Sequence, residues 1–290
     1  MNDHEFGNHS TDLKLSLVEG YLKSFTLALR EKFPELWYID AFAGTGVRTV
    51  KHEAIDGGFF PSTDERTEHR RGSAQIAIDI KPAFDRLIFI EQKKRHYEAL
   101  CQLASHYPNR KIDVVRGEAN SMILQELQLR NWVGKRAVMF LDPYGMAVDW
   151  ATLEAIQKTE AIDVWYLVSL SGIFRQATRN PDKLDAGKKR ALIRMLGTDD
   201  WMTEWYQRPK VMDLLGDVDP RVQRTADVEA IETYVRSRLS KLFPKVLKPK
   251  RLYNDRGAPI FSLFLAISNP EPKAIGLATR IGNHLLKPNC

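Results

Sequence analysis

The chain has 290 residues, with 43 Lys and Arg against 37 Asp and Glu and a net charge of +6. Its 43% hydrophobic and 28% charged residues are globular averages, which excludes wholesale disorder, collagen and coiled coil. The basic balance, with a pI of about 9.2, permits an anionic partner such as DNA or RNA without requiring one.

The apolar run Trp165 to Phe174 is about half the ~18 residues of a membrane span and contains Ser169 and Ser171. The first ten residues carry neither a basic segment nor an apolar one, so no secretory signal is expected. Cys101 and Cys290 form no disulfide framework and no CxxC zinc site, so no metal is expected either. These features predict a cytoplasmic protein with no membrane partner.

In chain order, Leu15, Val18, Leu22, Phe25, Leu29 and Phe33 repeat at 3–4 spacing and predict an amphipathic helix over 11–33, ended by Pro34. Leu36 to Ile39 reads as a buried strand. Val47 to Arg71, with Gly57, Gly58, Pro61 and a dense run of charge, reads as a long surface loop that flaps over a site. A helix from Ser73 follows. Strands are then predicted at 86–90, 112–115, 137–141 and 163–170, with helices at 93–105 and 121–130 and from Asp149 between them.

Gly172 to Arg224 breaks the alternation as a helical, aromatic-rich insertion. A helix at 227–243, a hairpin of 250–254 with 260–268, and a last helix at 272–286 complete the chain. Five parallel strands alternating with helices, plus a C-terminal antiparallel hairpin, make an α/β Rossmann-like sheet of the class I methyltransferase arrangement. The expected division is a core of 1–171, an insertion of 172–225 and a completion of the core by 226–290.

Ligands in such sheets bind at strand C-terminal ends, where Asp40, Glu91, Glu118 and Asp142 fall. Strand-Asp40-x-Phe42-x-Gly44-x-Gly46 supplies glycines for a tight turn and an acid for a cationic amino group. A dinucleotide site would want a third glycine where Thr49 stands, and a carboxylate at the strand end would repel a pyrophosphate. The motif therefore favours S-adenosylmethionine as cofactor over NAD, with a ligand-free strand-exit turn as the bland alternative. Glu91, one residue past an apolar strand, reads as an acceptor for ribose hydroxyls or as a solvated acid opening a helix. Glu118, with Ala119 in Arg116-Gly117-Glu118-Ala119-Asn120, reads as an adenine contact or as a helix-start acid.

Asp142-Pro143-Tyr144-Gly145 resembles the Asp/Asn-Pro-Pro-aromatic signature of amino-group methyltransferases, with the second proline missing and the aromatic one position early. Such a carboxylate orients an acceptor amine, and catalysis is then mostly positioning. The aromatic ring stacks a planar base or simply packs in a turn.

Taken together, Tyr38 to Gly46, Arg71-Gly72-Ser73, Ile90-Glu91, Gly117 to Asn120, Phe140 to Gly145, the early Lys14 with Tyr21-Leu22, and Phe261 to Pro270 are similar to the three-Cys-motif partner protein family (TcmP). The resemblance implies a class I methyltransferase-like fold that uses S-adenosylmethionine. It also implies association with a separate radical-enzyme-like protein carrying three cysteines. On these motifs Ser73 joins the cofactor set and Lys14 the substrate set. Two function classes follow: a methyltransferase acting on an amine of nucleic acid or of a partner protein, or a methyltransferase-like binding subunit that serves its partner.

The insertion carries Arg175, Arg179, Lys183, Lys188, Lys189, Arg190 and Arg194, opposed by Asp182 and Asp185. On one helix from Pro181, Lys183, Arg190 and Arg194 would share a face, with Leu184, Ala191, Leu192 and Met195 on the buried side. That face, with Arg175, reads as a backbone contact for nucleic acid or as an ordinary solvated surface.

Overall fold

The computed structural model describes residues 8–52, 66–207 and 222–287. The chain begins with α1 (Asn8–Leu29), β1 (Glu35–Asp40), β2 (Val47–His52), β3 (Arg66–Arg71) and α2 (Ser73–Asp79). Alternation follows through β4 (Arg86–Glu91), α3 (Lys94–Ser105), β5 (Ile112–Arg116), α4 (Ala119–Gln128), β6 (Lys135–Leu141), α5 (Trp150–Gln157) and β7 (Ile162–Ser169). The insertion supplies α6 (Leu170–Gln176), a 3₁₀ turn (Pro181–Lys183), α7 (Ala186–Leu196), α8 (Trp201–Trp205) and the short pair β8 (Tyr206–Gln207) and β9 (Gln223–Arg224). The chain closes with α9 (Val228–Leu242), β10 (Lys245–Val246), β11 (Lys250–Tyr253), β12 (Pro259–Ile267) and α10 (Pro272–Leu286).

The main sheet runs β10-β12-β7-β6-β1-β4-β5, with β11 also on β12. β5, β4, β1, β6 and β7 are parallel, and β12 is antiparallel to β7. This is the class I methyltransferase order expected from the sequence. The chain steps outward from β1 to β4 and β5, then returns to the other side of β1 for β6 and β7. The order therefore reverses between β1 and β6, and open α/β sheets bind ligands in the crevice at such a point.

The central strands are apolar without alternation because both their faces are buried. Trp37, Ile39, Ile88, Met139, Leu141 and Tyr166 face one core, shared with α5, α7 and α9. Tyr38, Phe89, Phe140, Trp165 and Leu167 face the other, under α1 and α2. Trp201 and Trp205 of the insertion are buried in the first core, and the Trp205 ring meets Tyr234 of α9 edge-on at 5.2 Å. Truncating a ring such as Phe140 to alanine would cost about 3–5 kcal/mol.

Three expectations need correction. The first helix ends at Leu29, not Phe33: Lys32 and Phe33 both donate backbone bonds to the Leu29 carbonyl and form a turn. A residue before proline avoids helical backbone, so the helix stops short of Pro34. The second correction concerns Val47 to Arg71, whose ends are strands: β2 and β3 pair antiparallel over six residues each, Val47 with Arg71 through His52 with Arg66. The glycines and proline that make this stretch read as a loop lie outside the described residues, and the β-branched Val47, Thr49 and Val50 belong to a ribbon. Third, Lys183 is not on the helix of Arg190 and Arg194, as the spacing required. Pro181 opens a single 3₁₀ turn, and Asp185 then caps a new helix by accepting from the Lys188 N–H at 2.9 Å.

Candidate functional site

The site begins with β1. Asp40 stands opposite Phe89 of β4 and Phe140 of β6, so Glu91 and Asp142 lie two residues further along the neighbouring strands. Side chains alternate with a period of two, and the three carboxylates therefore share one face of the sheet. Glu91 in turn stands opposite Arg116, which puts Glu118 two residues beyond the end of the next strand. Parallel register thus sets four acids as a staircase across the sheet's carboxyl end.

Asp40 is fully buried and accepts from the Phe42 N–H at 3.2 Å and the Tyr38 hydroxyl at 3.3 Å. Burial pushes its pKa up to about 6 against the bonds from Ser73 and Phe42, while the nearby Asp142 charge adds to the rise. Ser73 and Phe42 are thus drawn to Asp40. The turn itself needs left-handed backbone at Gly44 (φ +61) and Gly46 (φ +76), a region open to glycine. A Cβ on Gly44 would meet nothing within 4 Å, so the turn presents its backbone to open space.

The Glu91 carboxylate is buried and holds the turn in place. One oxygen accepts from the Gly44 N–H at 3.0 Å, the other from the Lys93 N–H at 2.8 Å, and His96 Nδ1 lies 3.7 Å away. Each carboxylate oxygen has two lone pairs, so acceptor capacity remains for ligand hydroxyls. Glu118 is exposed and caps α4, accepting from the Asn120 N–H at 3.0 Å and the Ser121 N–H at 2.9 Å. Burial pushes its pKa up, but these N–H groups outweigh it and hold the carboxyl below the usual range. Ala119, the first residue of α4, is buried. Asn120 is not among the expected site residues, yet its side chain accepts from the Asp149 N–H and the Thr152 hydroxyl, both at 2.9 Å, and locks α4 to α5 beside the site.

At the end of β6, Asp142 is ion-paired with Lys14 of α1, whose side chain is 10% exposed against 28% for Asp142. Pro143 is buried. Tyr144 is 67% exposed, and Lys93 Nζ stands 4.5 Å from the centre of its ring. Lys93 follows β4 and Tyr144 follows β6, so this contact spans the end of β1. No local pattern marks Lys93; only the strand order shows that it faces Tyr144.

The expected basic residues of the insertion lie apart from this group. Arg175, Lys183 and Arg190 are exposed on the insertion, and Arg194 is paired with Asp149 at 2.9 Å. Leu184, Leu192 and Met195 are buried as the pattern predicts.

A face bearing several carboxylates and a glycine turn opening on free space suits a cationic or hydroxyl-rich ligand. It does not suit a pyrophosphate.

No family model matches the chain. No curated protein matches it. Among solved structures it is similar to a Legionella pneumophila protein described by the family model DUF519, at 15% identity over 97% of this chain and 93% of that one, with a TM-score of 0.49. It is also similar to an S-adenosylmethionine-dependent methyltransferase of Clostridium acetobutylicum, at 10% identity over 86% and 91%, TM-score 0.36. The bifunctional kinase-methyltransferase WbdD matches at 12% identity over 72% of this chain and 37% of its own, TM-score 0.33. No helix among the described residues is long and apolar enough to cross a membrane.

Proposed function

We propose that the chain is an S-adenosylmethionine-dependent methyltransferase acting on an amine of nucleic acid or of a partner protein, and that it works with a three-cysteine-motif partner. The observation that carries this reading is the placement of Asp40, Glu91 and Asp142 on one face around the Gly44 turn, where the strand order reverses. The residues fit the cofactor: open space over Gly44 admits a close ligand, the spare lone pairs of Glu91 suit a ribose diol, and the carboxylates suit a cationic amino acid group. Bound there, the cofactor supplies a methyl group on a cationic sulfur.

The chain's own part is positioning. Asp142 accepts a hydrogen bond from the acceptor amine and fixes its lone pair, and Tyr144 offers an exposed face for a planar group. Lys14 already lies on Asp142, so the acceptor shares or takes that carboxylate. The same contact favours the second reading, a methyltransferase-like subunit that binds the cofactor and serves its partner without transferring a methyl group.

Incubation with labelled S-adenosylmethionine and separate pools of RNA, DNA and lysate protein tests the proposal. Transfer to one pool that is lost in Asp142→Ala, with cofactor affinity kept within about threefold, supports the enzyme. Cofactor binding without transfer to any pool supports the subunit. Binding of NADH in place of S-adenosylmethionine would remove both. Association with the three-cysteine partner is tested separately, by co-purification of the two expressed together.

A further inference from the structure

Asp163 is a carboxylate that the proposed methyl transfer does not use. It is the second residue of β7, and Arg136 is the second of β6, so both lie at the amino ends of parallel strands. Asp142 follows the last residue of β6, so the two acids stand at opposite ends of the sheet. Asp163 is half-buried, and its partners are the Tyr21 hydroxyl at 2.8 Å and the Ser268 backbone N–H. The Tyr21 ring is buried and meets Trp165 edge-on at 5.4 Å, which fixes that hydroxyl. Arg136 acts on Asp163 only from a distance. Its Nη1 donates to the Lys135 carbonyl at 2.8 Å, and its guanidinium lies 4.4 Å from the centre of the Phe33 ring. Among the described residues Asp163 therefore has no ion-pair partner, whereas charges withdrawn from water are normally paired.

A cavity lined by α1, α10 and the sheet includes this carboxylate. It holds about 480 Å³ of free space, its open mouth included, within the range of about 300–1,000 Å³ usual for small-ligand sites. The two helices approach closely at Gly20, where a Cβ would lie 2.8 Å from a Leu285 methyl. Further along, the lining residues are Ala28 of α1 and Ala274 and Ala278 of α10, whose short side chains leave room. Phe25, Leu277 and Ile281 supply apolar walls. The ionisable groups of the lining are Asp163, Arg136 and Tyr21. Glu160 also acts on Arg136, so acid outweighs base around the cavity.

We propose that this cavity binds a compact primary amine with an apolar body, whose ammonium pairs with Asp163 while its hydrocarbon fills the space between α1 and α10. An ammonium brings three donors and the opposite charge that the carboxylate lacks. Bonds between ionised partners are the strong ones. Each carboxylate oxygen has two lone pairs, so Asp163 retains acceptor capacity beside Tyr21 and Ser268. An alcohol of the same shape would fill the space without meeting the charge, and an anion would be repelled by it. The proposal does not rest on the methyl-transfer reading, because the lining shares no residue with the Gly44 turn, Glu91 or Asp142.

The test is calorimetry of the full chain with isopentylamine, isopentyl alcohol and isovalerate at about pH 7.5, where an alkylammonium is charged. Wild type is expected to bind the amine about tenfold or more tightly than the alcohol, the factor for a hydrogen bond to a charged group, and isovalerate least. Asp163→Asn is expected to erase the amine's advantage and keep the alcohol. Ala274→Leu fills the cavity without touching the charge and is expected to weaken amine and alcohol alike. Should Asp163→Asn lose its thermal transition, the wild-type selectivity together with Ala274→Leu decides. Equal affinity for amine and alcohol, tighter binding of isovalerate, or no binding of the amine by wild type would each overturn the proposal. So would amine selectivity retained in Asp163→Asn, or full affinity in Ala274→Leu. Competition with S-adenosylmethionine separates the two proposals. Amine that the cofactor displaces, with Asp163→Asn unaffected, sits in the proposed cofactor site and overturns the cavity alone. Asp163-dependent amine binding by a chain that does not bind S-adenosylmethionine overturns the methyltransferase reading alone.

Discussion

Lys14 of α1 and Asp142 at the end of β6 stand 128 residues apart in the chain and form an ion pair at the mouth of the site. The lysine side chain is the more enclosed partner, and its Nζ also lies 5.9 Å from the centre of the Phe140 ring. Removing one member of a well-buried pair costs about 3–5 kcal/mol because a charge is left without its partner. Asp142 keeps more than a quarter of its exposure, which lets water screen it, so Lys14→Met should cost less, about 1–2 kcal/mol. The double variant Lys14→Met/Asp142→Asn should recover part of that loss. Urea unfolding of the two single variants and the double variant closes the cycle. Additive losses would mean that the two side chains do not interact in solution.

Two carboxyls, the buried Asp40 and the half-buried Asp163, should each lower stability as pH rises from mild acid to neutrality. Asp40 and Asp163 are both pushed up to about 6, in each case mainly by burial, and Asp163 accepts from the Tyr21 hydroxyl at 2.8 Å. Their ordinary value is 3.8. Between these values the folded chain holds more protons than the unfolded chain, so stability falls as pH rises and the loss is complete above about 6. Each group accounts for up to about 3 kcal/mol in all, and about 1–2 kcal/mol between pH ~5 and ~7.5. Asp163→Asn keeps an acceptor for Tyr21 and cannot ionise, so its stability should fall less than that of wild type over this interval. Urea midpoints at the two pH values check this; equal falls would mean that Asp163 does not titrate in this interval.

What the sequence makes legible follows from burial. β1, β4, β6 and β7 are covered on both faces and so appear as uninterrupted apolar runs, and Asp40, Glu91 and Asp142 stand out at their ends. The β2–β3 ribbon is illegible because no apolar face is written into it; its pairing lies in the register of charged residues. Lys183 is misplaced by periodicity because spacing alone does not reveal that Asp185 starts a fresh helix. Contacts such as Lys14 with Asp142 and Lys93 with Tyr144 depend on which strands are neighbours, and no local spacing carries that information.

Gly72 is required by close approach rather than by its own backbone angle. A Cβ there would lie 2.7 Å from the Gly46 carbonyl oxygen, and backbone on both sides leaves little room to yield. Gly72→Ala must therefore push the foot of the ribbon away from the Gly44–Gly46 turn, at a cost of about 1–3 kcal/mol. Cofactor affinity should fall with it, because Gly46 shares the turn that presents Gly44. Thermal unfolding and calorimetry read the two effects separately. An alanine variant with unchanged melting and binding would show that the turn is not pinned there.

On the proposed cofactor reading, Glu91 links the fold to the ligand. Its two oxygens accept the Gly44 and Lys93 N–H groups, so it both shapes the turn and offers its remaining lone pairs to the space beyond. Glu91→Ala removes both roles and should weaken S-adenosylmethionine binding by about 1.5–3 kcal/mol, the range for hydrogen bonds to a charged group. Glu91→Gln keeps one oxygen acceptor but puts an amide donor where the other stood. It can still hold one of the two N–H groups and faces the second with the wrong polarity. Its loss should therefore be smaller than that of alanine if ligand hydroxyls supply most of the energy, and similar if the turn collapses. Calorimetry of both variants, with proteolytic sensitivity of the turn as a structural readout, separates these outcomes. Full wild-type affinity in Glu91→Ala would remove Glu91 from the cofactor site.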